Sequence, residues 1–583
     1  MTDKAKRQRK PKQAKTPPIS VLSLDYNLAE LPTSQHRAGL AGLVLMVQWM
    51  ENQQKIDGIC QLTRLDDHGA TLQIDERGMK SLYAQTYDSI EEQKKKKPEK
   101  EKPSKKATAE EEQPNEDETV GGSGENDKPD ESEVGYKPRG AFLVSYDPTA
   151  DNAGKGLWVD LWRDFVWYVV RKKWQSQQIY SDKIRLAKTT TDVWGNLVSE
   201  ATSVWGEPSD LSGADLIGAR AHNAEQVEFK DTAKHKLLLN FWSYTAQVYV
   251  PMTTVIGKMT KKPEPKDVGY AVAIPEVARL STFCRILPKV LHINRGKERS
   301  KIRQKRPKDS LIDVPAEGAL DFFLKLSEQI SLSEGARTTN RMVSAIDVIH
   351  VDPSGKDMSI TGTARIEPES FSPDDYERVR RNLWNREFRR QRVLNILDGR
   401  KKWYEGFDKL LSRLPFKLGF DGQHFAHDAR ESFESEVRDL KDKKTNDADD
   451  NLLTGQDTSA EGVETNAPQS KEPKSVEALV YQAVGRYLDR RLRAKRKSGY
   501  SDVKAGTADK DEYSKERRAL AVNAFYSVKS RTEADFIEYF ANTLCSVSQN
   551  PISETDYVTL AKALHHETED VRTLTMLALS AHS

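Results

Sequence analysis

The sequence predicts an α+β fold: a mixed N-terminal α/β domain followed by a C-terminal helical bundle, with disordered polar inserts. Three observations predict it. Up to residue 371, short alternating apolar runs and Gly/Pro turn signals are interspersed with helical spacing. From Ser372 onward the spacing is almost entirely helical. Two stretches, 91–138 and 441–474, hold too few apolar side chains to bury a core. Residues 1–18 read as a basic disordered tail, 19–371 as the N-terminal domain and 372–583 as the helical domain.

The elements follow in order. Leu24 and Tyr26 alternate with polar neighbours as in a strand, and Pro32 breaks the chain. Ser34 is placed to cap a helix carrying Leu40, Leu43, Leu45, Met46 and Trp49. Gly39 and Gly42 lie in its most apolar part, where glycine is usually kept for close backbone packing. A hairpin turning at Asp67-His68-Gly69 and a second helix complete residues 19–90. After the insert, Trp158, Trp162, Phe165 and Val169 recur at helical spacing as a core face. Strand-like runs FWSYTAQVYV and GYAVAIP precede a helix through VARLSTFCRIL, and another helix spans 315–331. MVSAIDVIHV-DPSGKD-MSITGTARI reads as a hairpin, since Pro-Ser-Gly is a strong turn signal.

Composition narrows the function. The chain is 583 residues long, 31% charged, with a mean hydropathy of −0.72, which fits folded cores separated by solvated segments. Its three cysteines, Cys60, Cys284 and Cys545, are far apart and fit a reducing cytoplasm rather than a disulfide framework or zinc site. The uncharged run Ala38–Met50 is too short for a membrane span, which needs about 20 apolar residues. A net charge of +2 hides segregated blocks. Residues 4–15 carry seven Lys or Arg and no acid, 295–308 carry eight against one Glu, and 378–402 carry ten against two acids. Residues 107–134, by contrast, carry eleven acids against one lysine. Basic blocks of this kind suit nucleic acid.

Catalytic motifs are not found. IGKMT at 256–260 lacks the upstream glycine of a phosphate loop and has Met259 where Ser or Thr is needed. His427-Asp428 is a single dipeptide without a second acidic histidine pair, and His565-His566 are helix neighbours that cannot chelate as an i, i+4 pair can. A metal-dependent nuclease built on these histidines is the rival reading, and a general RNA-binding regulator is another. The charged helices carry more. In 372–398, Arg378, Arg381, Asn385, Arg389 and Arg392 project as one stripe opposite Tyr376, Val379, Leu383, Leu394 and Leu397. Trp384 and Phe388 flank it, and edge-of-core packing is favoured over base stacking for both. In 476–497, Arg486, Arg490, Arg493 and Lys497 lie opposite Val476, Val480, Val484, Leu488 and Leu492. With the block Arg295, Lys297, Arg299, Lys301, Arg303, Lys305 and Arg306, these are the candidate nucleic-acid contacts. No catalytic residue, metal ligand or cofactor is assigned.

Five stretches carry a resemblance: LDYNLAELPTSQHRAGLAGL (24–43), GYAVAIPEV (269–277), NREFRRQRVLNILDGRKKWYEGFDKLL (385–411), FIEYFANTLCSVSQ (536–549) and VRTLTMLALSAHS (571–583). Together they resemble the large subunit of type I CRISPR Cascade complexes, in the myxobacterial (MYXAN) branch of the type I-A/I-B group. The resemblance implies a non-catalytic, cytoplasmic component of an RNA-guided ribonucleoprotein. It implies contacts with the crRNA 5′ handle and with the backbone, handle-binding and small subunits. It further implies recognition of the protospacer-adjacent motif in double-stranded target DNA and recruitment of a helicase-nuclease, or of a transposition adaptor in transposon-borne systems. Relatives often make part of the C-terminal region as a separate small subunit from an internal start. Guide pairing carries sequence recognition in such complexes, so basic stripes that meet the backbone fit the remaining task.

Overall fold

The fold is taken from a computed structural model, which describes residues 20–93, 134–167, 174–202, 208–211, 216–217, 229–257, 263–292, 306–334, 342–353, 359–413, 424–436, 474–496, 503, 509–545 and 553–583. The expected tail and the 441–474 linker, its last residue apart, lie outside these, as does Val169. By packing, the chain divides into two units. One comprises 1–248, 274–310 and 351–361; the other comprises 249–273, 311–350 and 362–583. The division therefore does not fall at 371/372.

In the first unit, β1 (Val21–Asn27), β2 (Cys60–Leu65) and β3 (Gly69–Asp75) form an antiparallel sheet in the order β1-β3-β2. Register pairs Val21 with Asp75 and Asn27 with Gly69, so Leu22, Leu24 and Tyr26 all turn to the core. The hairpin forms where expected because Asp66 Oδ1 accepts from the amides of His68 (2.8 Å) and Gly69 (2.9 Å). The helix α1 (Ser34–Asn52) is capped by Thr33 rather than Ser34; the Thr33 hydroxyl accepts from the His36 amide, and Ser34 is already the first helical residue. Its glycines do what their position suggested. A Cβ on Gly39 would stand 2.3 Å from the carbonyl oxygen of Leu238, and one on Gly42 2.3 Å from that of Phe241. Only glycine permits that approach. The helix is a core element, and among the described residues no helix is long and apolar enough to cross a membrane.

The helix α2 (Glu76–Thr86) leads into β4 (Ser89–Gln93), which pairs with β5 (Val134–Pro138). The insert expected at 91–138 is thus narrower: both of its ends are strand, with Gln93 opposite Val134. Then come α3 (Leu143–Tyr146) and α4 (Leu157–Phe165), the latter with Trp162 and Phe165 buried as expected. Helices α5 (Trp174–Ser181) and α6 (Lys183–Thr202), the short β6 (Ser209–Asp210) and β7 (Lys230–Asp231), α7 (Ala233–Leu238) and α8 (Leu280–His292) complete the unit. Asp67 of the hairpin holds the start of α8, accepting from Ser281 Oγ (2.6 Å) and the Thr282 amide (3.0 Å).

The second unit holds most of a sheet of β8 (Gln247–Ile256), β9 (Pro263–Asp267), β10 (Tyr270–Val277), β11 (Leu311–Ile312), β12 (Val343–Asp352) and β13 (Ser359–Ile366). The strand order is β11-β8-β10-β12-β13, with β9 on β8. FWSY is not strand but a 3-10 turn before β8. The helix α9 (Glu317–Glu334) precedes a helical region of α10 (Pro373–Asn382), α11 (Arg386–Asp398), α12 (Phe407–Arg413), α13 (424–436), α14 (Val476–Arg496), α15 (Lys510–Lys529), α16 (Glu533–Tyr539), α17 (Glu554–His566) and α18 (Thr568–Ala581). One apolar core runs from Leu320 and Tyr376 through Phe388 and Phe425 to Leu574 and Leu577.

Candidate nucleic-acid interface

Residues 372–398 do not form one helix. Ser372 caps α10 and Asn385 caps α11, whose Oδ1 accepts from the Phe388 amide (3.0 Å). Between them Leu383–Asn385 are extended, because the buried Asp428 accepts from the amides of Trp384 (2.9 Å) and Asn385 (2.6 Å). The break resets the helical phase, so the single stripe is corrected to two separate faces. Tyr376, Val379 and Leu383 are buried as projected, but Leu394 is 40% exposed.

The arginines of that stripe are largely held by carboxylates. Arg389 pairs with Asp313, and Arg386 reaches the same carboxylate at 3.2 Å. Arg392 is buried, donates to Asp375 (3.1 Å) and lies over the Trp403 ring. Arg381 is exposed yet bridges Glu377 (2.6 Å) and Glu328 (3.6 Å), and Arg378 stands 3.9 Å from Asp375. Asp313 belongs to an interior network that sequence reading missed. Glu317, wholly buried, accepts from Tyr376 (3.2 Å), Arg380 (3.3 Å) and the Asp313 amide (2.6 Å). Tyr249 donates to Asp321 (2.8 Å), which also pairs with Lys325. Burial, and then the Asp313 charge, push the Glu317 carboxyl above its ordinary range. Buried charges persist when paired in this way.

The other candidates separate cleanly. Arg295, Lys297, Arg299, Lys301, Arg303 and Lys305 lie outside the described residues, as does Lys497; Arg306 pairs with Asp164 at 2.8 Å. In α14, Val480, Val484, Leu488 and Leu492 are fully buried, as the apolar row requires. Arg486, Arg490 and Arg493 are exposed on the other side, and none has a carboxylate partner among the described residues. Their i, i+4, i+7 spacing puts three unsatisfied cations on one face along about 10 Å of helix.

Of the histidines considered for metal, His427 is otherwise engaged. His427 Nδ1 lies 3.1 Å from Asp428 Oδ1, and its ring stacks on Trp384 with centroids 4.3 Å apart and planes 6° apart. Burial raises the Asp428 carboxyl, against the pull of His427 and the two amides. His565 and His566 are exposed at the end of α17. Among the described residues no group of three or more His, Cys, Asp or Glu side chains is arranged to hold a metal ion. Phe388 is fully buried, whereas Trp384 is 58% exposed, so only the first is a core aromatic.

Two family models match in tandem. Residues 59–336 match the type I-B CRISPR Cas8b N-terminal domain, and residues 343–582 match the type I-B CRISPR Cas8b C-terminal domain. No curated protein matches the chain. The boundary between the two matches falls just before β12. Taken in order and together spanning most of the sequence, the matches show that the chain belongs to the Cas8b family and is a large subunit of a type I-B CRISPR Cascade.

Proposed function

We propose that the protein acts as the non-catalytic large subunit of an RNA-guided effector, contacting the crRNA 5′ handle and the backbone subunits. It reads the protospacer-adjacent motif in double-stranded target DNA and helps recruit the downstream helicase-nuclease. The five stretches quoted above support a place in the myxobacterial branch. The observation that carries the nucleic-acid part of this reading is the α14 face. Arg486, Arg490 and Arg493 stand exposed and, among the described residues, without carboxylate partners, on a helix whose other side is buried core. Surface arginines with acidic neighbours, such as Arg381, are already neutralised; these three keep their charge for phosphates.

The test uses the reconstituted complex carrying Arg486→Gln, Arg490→Gln and Arg493→Gln together. Affinity for target DNA falls by a similar factor across unrelated sequences. The slope of log K against log salt flattens by about 2 to 3, close to one for each phosphate no longer neutralised. A folded complex with wild-type affinity and slope would make the row a solvated surface and overturn the assignment.

A further inference from the structure

Trp384 is an exposed indole in a polar neighbourhood, and it is held with unusual care. The chain at its position is pinned by hydrogen bonds from two successive amides to the buried Asp428. One face of the ring is covered by His427, parallel at 4.3 Å. His424, one turn earlier on α13, meets it edge-on at 5.4 Å and 79°. His427 is itself anchored through Nδ1 to Asp428. Since His427 covers one face, an exposure of 58% requires the opposite face to be largely open to solvent.

We propose that this open face of Trp384 is a stacking platform for one unpaired nucleobase, with His427 as its backing ring. The inference rests on the reading that the chain contacts nucleic acid, and it names where an unpaired base is held. A single flat ring suits a base rather than a protein partner, because protein docking patches are contiguous and apolar. The exposed residues beside Trp384 in sequence are instead Arg381, Asn382 and Arg390. All three are polar or charged, so the ring does not belong to a contiguous apolar docking patch. Clamping the ring before binding removes the ordering cost that a free side chain incurs on capture. Every base has a π-face, so the platform is tolerant of sequence and adds affinity without reading it.

The experiment compares the full chain's binding to two labelled single-stranded 20-mers of equal charge, oligo-dT and an abasic strand. Trp384→Ala weakens oligo-dT binding by roughly 5- to 150-fold, the range for loss of one stacked base. It leaves abasic binding and the salt slope at wild-type values, and Trp384→Phe retains most of the affinity. Equal oligo-dT affinity in Trp384→Ala and wild type would overturn the platform while leaving the arginine reading intact. An equal loss on both strands would do the same, since the effect would then not be stacking. Failure of the wild-type chain to bind either strand would overturn both readings. The Arg486/Arg490/Arg493 variant separates the two, because it weakens both strands and flattens the salt slope, which Trp384→Ala does not.

Discussion

Single side chains decide which charges of this protein are available. Asp313 is almost fully buried between Arg386 and Arg389, so removing it leaves two partly buried cations without their counter-charge. Asp313→Ala is expected to destabilise the second unit by about 3 to 5 kcal/mol, the range for breaking a buried ion pair from one side. Urea unfolding followed at that unit checks it, and a loss below about 1 kcal/mol would mean that water replaces the carboxylate. His582 gives a pH-dependent counterpart. Its Nε2 lies 3.1 Å from the Tyr481 carbonyl and its Nδ1 3.2 Å from Arg517, so the ring accepts from the guanidinium as the neutral tautomer. Burial, then the Arg517 charge, push its pKa down to about 4. The unfolded chain takes up that proton near the usual 6.5, and the folded chain does not until about 4. The unfolded state therefore binds more protons between these values. Stability falls as pH drops from about 6.5 to 4, by on the order of 2 to 4 kcal/mol, and levels off below. Comparing wild type with His582→Gln across that window by hydrogen exchange of α14 and α18 isolates the effect; parallel curves would remove it.

At the scale of elements, what could be read from the sequence was what is local. The first sheet, its hairpin, α1 with its glycines and the apolar row of α14 all follow from residues within a few turns of one another. The stripe at 372–398 was misread because two distant carboxylates intervene. Asp428 breaks the helix by accepting two amides, and Asp313, 76 positions before Arg389, takes the charge. No periodicity in the segment itself encodes either partner. Trp384 was misjudged for the same reason: its exposure depends on that break. The insert shows the limit of composition. Its polar interior suggested a boundary at 91, but Ile90–Gln93 pair with residues 134–137 as a ribbon. Deleting 95–133 and closing the ribbon with a short Asn-Gly turn is expected to keep folding and guide-dependent DNA binding within about twofold of wild type. The paired residues stay, and the removed segment has little apolar surface to bury. Loss of complex assembly on gel filtration would instead identify the segment as a docking element.

For the whole molecule, the division by packing follows long-range pairing that sequence order conceals. The second unit draws β11, α9 and β12 from well before residue 371, and Leu320 and Leu324 share one core with Tyr376 and Val379. That arrangement bears on whether a separate C-terminal fragment is made from the same gene. A start at Met358 would leave β13 without β12, its neighbour in the sheet, and would strand Arg380, Arg386 and Arg389 without Asp313 and Glu317. Met342 restores the strand but not the carboxylates. Unpaired, partly buried charges and an open sheet edge both disfavour these fragments. A start in the 441–474 stretch, at a codon for Leu452, Leu453 or Val463, leaves out these arginines and their carboxylates together. It keeps α14 to α18 together, with Val571, Leu574 and Leu577 of α18 enclosed by its helical neighbours. The separation divides the shared apolar core, and it gives up the Arg430 bond to the Ala581 carbonyl (2.8 Å), the Lys402 bridges to Glu567 and Asp570, which are half exposed, and the Phe433–Tyr481 ring stacking. Surface bridges of that kind contribute about 1 kcal/mol or less each. Expression with a C-terminal tag, followed by intact mass of every tagged product, is expected to give full-length chain and one fragment beginning between 441 and 474. A fragment starting at Met342 or Met358 would contradict the charge argument, and full-length chain alone, with the other subunits present, would confine the helical region to action in cis.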